Sequence, residues 1–146
     1  MESKKEITKN LLANSFKKLI LDIPFKNITI KMITDKSKVI RPTFYHHFKD
    51  KYEVLEYIVD EDIMKNIYEM VDSDMEYESL KIIFIRLEKN REFIKKAFKV
   101  EGQNSFKEIL GYKIYNIFIR IIDKHELNEL YYSNVLTKEN MARYYT

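Results

Sequence analysis

The chain has no cysteine, and only two glycines and two prolines in 146 residues. Without cysteine there is no disulfide framework, no thiolate chemistry and no cysteine-ligated zinc. So few glycines and prolines exclude a turn-rich β fold, which needs such residues at its reversals, and favour long uninterrupted helices. No apolar run approaches the roughly 18 residues of a membrane span, and no signal peptide opens the chain. A soluble, cytoplasmic protein with no membrane partner is the expectation. The length suits one sizeable core, or a small head joined to a second packed unit.

What is present is unevenly placed. Residues 1–51 hold 12 Lys and Arg against 5 Asp and Glu, whereas residues 52–146 hold 14 against 18. A basic first third on an acidic remainder suggests that only the first third meets a polyanion. A chance excess in a lysine-rich chain is the competing explanation.

Ser3-Lys4-Lys5-Glu6 has capping-box spacing, and Ile7, Leu11, Leu12, Phe16, Leu19 and Ile20 follow at helical intervals. The first helix should end near Leu21, before Ile23-Pro24-Phe25. Thr29 is a good N-cap for a short second helix with Ile30 and Ile33 inward. Asp35-Lys36-Ser37-Lys38 reads as a polar turn with Val39 beneath it.

The densest stretch is Val39-Ile40-Arg41-Pro42-Thr43-Phe44-Tyr45-His46-His47-Phe48-Lys49-Asp50-Lys51. Pro42 suits the first helical position, with Arg41 at the helix mouth. Phe44 and Phe48, four apart, stack on one face. Thr43, His46 and His47 lie on another, with Tyr45 beside them. Asp50 and Glu53 form a second capping-box pair, so a further helix should open at Lys51. Three helices, the last two short and joined by a tight turn, make either a helix-turn-helix unit or an ordinary three-helix core.

The segment from Ile28 to Leu55 resembles the N-terminal domain of the TetR family of bacterial transcriptional regulators. The likeness rests on Thr29, Ile33 and the run Thr43 to Lys51 leading to Leu55. Threonine, an aromatic or leucine, tyrosine, two variable residues, phenylalanine and then a lysine opening the next helix form the family's most distinctive motif. Phe16 and Phe25 also fall where the family places aromatics. Two positions depart from the pattern: Lys38 stands where the family usually has a turn glycine, and Ile40 where it often has a serine cap. Lys38 implies a non-glycine left-handed residue or a different turn. Ile40 implies a helix that begins with Arg41 and Pro42, or that lacks a side-chain cap.

The resemblance implies that the third helix enters the major groove of double-stranded DNA while its flanks grip phosphates. Arg41 is then a candidate for a guanine edge or a phosphate. Thr43 can offer its methyl to thymine or its hydroxyl to a phosphate, and Pro42 can touch a thymine methyl. Tyr45 and Lys51 match family positions that hold the backbone, and Thr29 is a similar candidate. His46 and His47 have no carboxylate or cysteine at ligand spacing, so metal binding is not expected. A backbone or base contact by His46 and His47, with plain exposure of one of them, is.

Beyond the head, Lys51 to Val71 reads as one long amphipathic helix. Leu80, Ile83, Phe84 and Leu87 mark another, and Asn90 caps a third with Phe93, Ile94, Ala97 and Phe98 inside. Ser105-Phe106-Lys107-Glu108 is a third capping box. The helix from Phe106 to Ile122 is apolar nearly all round, which suits plain core, a partner face or a cavity wall. By the resemblance the second unit holds an effector pocket and a dimer face; Tyr112, Tyr115 and Phe118 are the candidate pocket residues, since a buried tyrosine hydroxyl needs a partner. Thr137 can cap a last short helix. Family members usually carry two long C-terminal helices, so a truncated chain is expected.

The reading is thus an all-α protein with a helix-turn-helix head at residues 1–50 and a helical effector and dimerisation unit at 51–146. It is a ligand-responsive repressor of a pseudopalindromic operator, homodimeric and without cofactor. A partner-dependent activator and a protein-interaction module on the same fold are the alternatives. An enzyme is not expected: there is no thiol, no phosphate loop and no grouping of histidine with carboxylates.

Overall fold

The computed structural model describes residues 3–125, among which every regular element is helical. Helix α1 (Lys4–Asp22) starts at the Ser3 capping box, whose two hydrogen bonds are both formed. A single 3₁₀ turn (Phe25–Asn27) follows, then α2 (Ile30–Ser37), α3 (Arg41–His47) and α4 (Lys51–Val59). Thr29 caps α2 by accepting from the Met32 amide at 3.2 Å. Asp50 caps α4 by accepting from the Tyr52 and Glu53 amides at 2.8 and 3.0 Å. Glu53 reaches back to the Lys49 amide rather than to Asp50, one residue beyond the ideal box.

Lys38 takes the left-handed conformation, at φ 57°. The Val39 amide donates to the Thr34 carbonyl at 3.1 Å, the six-to-one bond that closes a Schellman turn. The turn is therefore the glycine-type one with a lysine in it, at a cost of about 1 kcal/mol relative to glycine.

The long helix expected from Lys51 to Val71 is broken. After α4 the chain passes through one π turn (Asp60–Met64) and reaches Asn66 in the left-handed region, at φ 64°, before α5 (Ile67–Asp72). The apolar spacing runs on through the break, and Ile63, Met64 and Ile67 all stay buried. What differs is the backbone: Arg86, from α6 (Glu76–Lys89), donates to the Ile63 carbonyl at 2.9 Å and the Lys65 carbonyl at 2.7 Å. Those carbonyls would face inward to the ladder of a continuous helix; here a guanidinium serves them.

Helix α7 (Arg91–Ala97) and α8 (Phe106–Lys124) complete the described part. Asn90 precedes α7 but does not cap it with its side chain, which donates instead to the Arg86 carbonyl at 2.9 Å. Gly102 and Asn104, both at positive φ, end that region as expected. Buried residues from Leu12 to Ile117 form one connected core. Phe84, one of the apolar residues that mark α6, is 71% exposed, and Phe98, expected inside, is exposed with one edge on Phe106. Helix α6 buries only Ser79 and Ile83, so its inward stripe is too narrow to take the adjacent phenylalanine. Thr137 and the last turns lie outside the described residues.

Helix α8 is seated along the broken connection by a line of ion pairs. Lys113 meets Asp60 at 2.7 Å and Glu56 at 3.5 Å, Arg120 grips Asp72 with two bonds of 2.6 Å, and Lys124 meets Asp74 and Glu76 at 2.7 and 3.0 Å. Burial lowers the Lys113 pKa, but the Asp60 and Glu56 carboxylates more than offset it and leave it above its ordinary value. From α1, Lys17 pairs with Asp62 of the π turn at 2.6 Å.

Replacing Arg86 by methionine keeps the aliphatic stem and removes both bonds. Unfolding in urea should then show a loss of about 1.5 kcal/mol, with lysine at the same position recovering part of it. An unchanged midpoint for the methionine variant would mean that water serves the two carbonyls equally well.

Candidate nucleic-acid interface

Helix α3 divides its residues between two jobs. Phe44 and Phe48 are buried, ring centroids 5.8 Å apart, against the core that α1 and α4 supply. Arg41, Pro42, Tyr45 and His46 lie on the exposed face, and Thr43 is half-buried at its edge. Thr29 is exposed at the start of α2, its oxygen occupied by capping and its hydroxyl proton still able to donate.

The helix begins one residue earlier than Pro42 would suggest. Arg41 is its first residue and Pro42 its second, because the Ile40 carbonyl already accepts from the Phe44 amide at 3.2 Å. Ile40 itself is extended and provides no side-chain cap. Arg41 lies along Tyr45, with its guanidinium 5.6 Å from the ring centroid and Nη2 donating to the tyrosine oxygen at 3.3 Å. One helical turn thus presents a cation and a hydroxyl side by side, the pair of groups that phosphate oxygens and guanine edges accept from.

Lys51 is not presented in this way. Its ammonium donates to the carbonyls of Phe25 at 2.6 Å, Ile28 at 2.9 Å and Lys26 at 3.4 Å, and sits 4.3 Å from the Phe25 ring centroid. Burial pushes its pKa below the ordinary lysine value. The side chain expected on a phosphate is turned inward, tying the start of α4 to the turn between α1 and α2.

The two histidines also part company. His46 is exposed, whereas the Nδ1 of His47 is buried with no hydrogen-bond partner among the described residues. Burial holds the His47 pKa below its ordinary value, and the neighbouring charges of His46, Lys5 and Lys9 push the same way. Lys9, which sequence reasoning passed over, lies 4.5 Å from the Tyr57 ring centroid and 5.3 Å from that of Phe48. Its place on α1 with a helical offset from Lys5 was the available signal. No group of His, Asp or Glu side chains among the described residues is arranged to hold a metal ion.

The effector-pocket candidates are scattered. Tyr112 is 68% exposed on the rim of an open groove of about 410 Å³ lined by Asp50, Glu53, Glu56 and Glu108 with Lys49 and Lys113. Tyr115 and Phe118 are half-buried and do not line that groove. A second cleft, of about 640 Å³, lies between the Ile23–Lys26 turn, Lys51 and the end of α7 at Lys96, Lys99 and Glu101.

A short helix held by two phenylalanines behind, with a cation, a hydroxyl and an imidazole in front, defines a helix-turn-helix DNA-binding protein. Residues 17–58 match the family of bacterial regulatory proteins, tetR family. Over 138 residues, covering 94% of this chain and 73% of the relative, the sequence is 26% identical to the HTH-type dhaKLM operon transcriptional activator DhaS of Lactococcus lactis subsp. lactis (strain IL1403). Residues 17–58 are thus a TetR-type helix-turn-helix domain, and the likeness to a transcriptional activator extends over nearly the whole chain. None of its described helices is long and apolar enough to cross a membrane.

Two measurements follow. Lys51→Met should lower stability by about 2 kcal/mol, the scale of hydrogen bonds to a charged donor, and leave the salt dependence of DNA binding as in wild type. A stable variant whose salt slope drops by about one unit would return Lys51 to the phosphates. For His47 the depressed folded-state pKa means that the unfolded chain takes up the proton first as pH falls. Its contribution is complete above the ordinary value of 6.5 and declines below it. Thermal midpoints should therefore fall between about pH 7.5 and 5.5, above the range where carboxylates titrate, and His47→Gln should flatten that slope.

Proposed function

We propose that the chain is an effector-responsive regulator that binds a pseudopalindromic operator as a homodimer in the cytoplasm, with residues 1–50 as its reading head. The observation that carries this is the outward face of α3, where Arg41, Pro42, Tyr45 and His46 stand clear of the core while Phe44 is fully buried behind them. In this reading Arg41 takes a base edge, Tyr45 and Thr29 donate to phosphates, and Pro42, Thr43 and His46 line the groove. Residues 51–146 then supply the dimer face and the effector site, with Tyr112, Tyr115 and Phe118 near it. Two heads must be held about one duplex turn apart to read both half-sites, so dimerisation sets affinity. An effector shifts the spacing only by as much as it prefers one arrangement over the other.

Repression by occupying the operator is one output. Activation is the second reading, favoured by the likeness to the L. lactis relative, a transcriptional activator. A reporter promoter carrying the selected site distinguishes them by the sign of its response.

Binding of wild type, Arg41→Ala and Tyr45→Phe to genomic fragments across a salt series tests the reading. Wild-type affinity should fall steeply with salt, by about 0.9 log units per phosphate neutralised for each log unit of salt. Arg41→Ala should lose about tenfold or more on the preferred site, and Tyr45→Phe about fivefold on all sites alike. Salt-insensitive binding, or wild-type affinity in both variants, leaves the protein-interaction reading in its place.

A further inference from the structure

Ile40 is the most exposed large aliphatic residue of the head, with 69% of its surface open, and it stands at the mouth of α3. A residue in that place ordinarily serves the helix by accepting from the second or third amide. Neither amide needs it here. The second helical residue is Pro42, which has no N–H, and the third, Thr43, already donates to the Ile40 carbonyl at 3.0 Å. The backbone of residue 40 does the capping that its side chain would do, so the side chain is released from any structural duty. It contributes little to the core either, being mostly in water, whereas its neighbour Val39 is packed against the buried cluster.

We infer that Ile40 reads a base: its branched side chain packs on the C5-methyl of a thymine in the major groove. The inference rests on the proposal that α3 is the reading helix. The first residues of such a helix are those that reach base edges, and an aliphatic group there has one complementary feature in the groove, the thymine methyl. Pro42 adds an apolar surface two residues on, so the mouth of α3 is an aliphatic patch beside the Arg41 and Tyr45 pair. The specificity this gives is for thymine at one position of each half-site, separate from any guanine that Arg41 takes.

The test isolates the methyl group. Wild-type protein selects its site from a random duplex pool, and binding is then measured with each thymine of that site replaced singly by deoxyuridine, for wild type, Ile40→Ala and Pro42→Ala. At one position wild type should lose about fourfold, the worth of one buried methyl. Ile40→Ala should show no loss at that same position, while Pro42→Ala keeps it. Ile40→Ala should unfold within a degree or two of wild type, so that a lost contact is not a lost fold. If every thymine tolerates the change, or if the sensitivity survives in Ile40→Ala, the inference is overturned while the DNA-binding reading stands. If no site is selected from the pool at all, the DNA-binding reading itself falls.

Discussion

The break between Asp60 and Asn66 is the constraint around which the described part of the molecule is arranged. A helix that stops and restarts leaves carbonyls without amide partners, and each must find a donor or water. Arg86 of α6 serves two of them, at Ile63 and Lys65. Two further cations meet the acidic side chains of the same turn: Lys17 from α1 at Asp62 and Lys113 from α8 at Asp60. Three helices far apart in sequence thus converge on one short segment, each through a long basic side chain. The pairs at Asp60 and Asp62 are partly open to water, so each contributes modestly and chiefly fixes the register of its helix on the break. The break is held from three sides, and the packing of α1, α6 and α8 is indexed to it.

The reading head is held to this arrangement through α4. Lys51, its first residue, is bonded to the turn between α1 and α2, and Phe25 in that turn packs edge-on against Phe16 and Tyr52. Tyr57, further along α4, donates to Asn10 of α1 at 2.8 Å. With Phe16, Phe44, Ile33 and Leu55 fully buried between them, the four helices resist internal distortion more than they resist moving together. Helices α1 to α4 are therefore one packed unit, in which the place of α3 is set by its neighbours.

Much of this was legible in the sequence because it depends on neighbours in the chain. The caps at Ser3, Thr29, Asp50 and Ser105 are all formed, since a cap needs only residues two or three away. The division of α3 into Phe44 and Phe48 behind and Tyr45 in front follows from helical spacing alone. The misreadings share a different cause. The apolar pattern from Lys51 to Val71 continues through the break, and only Arg86, more than twenty residues on, gives the freed carbonyls a donor. Lys51 satisfies the family motif equally well facing a phosphate or three carbonyls, so its sequence position does not say which. Phe84 and Phe98 sit beside buried residues on narrow stripes, where a difference of one position turns a side chain from core to solvent.

The charge asymmetry that first singled out the head also changes meaning in three dimensions. Taken along the chain, it sets a basic third against an acidic remainder that would weaken attraction to a polyanion. In the fold, five of the acidic residues, Glu56, Asp60, Asp72, Asp74 and Glu76, are matched with Lys113, Arg120 and Lys124. Arg120 in particular holds the Asp72 carboxyl below its usual range, so that charge persists while being locally neutralised. Pairing shortens the reach of three of those five charges, because the field of an ion pair decays faster with distance than that of a lone charge, and leaves two in excess. On the head, by contrast, Lys4, Lys5, Lys26, Lys36, Lys38, Arg41 and Lys49 are all exposed. The carboxylates of the second part thus bind its own helices together while its net charge stays negative, and the surface seen from a distance is more basic on the head than the net charge of +3 suggests.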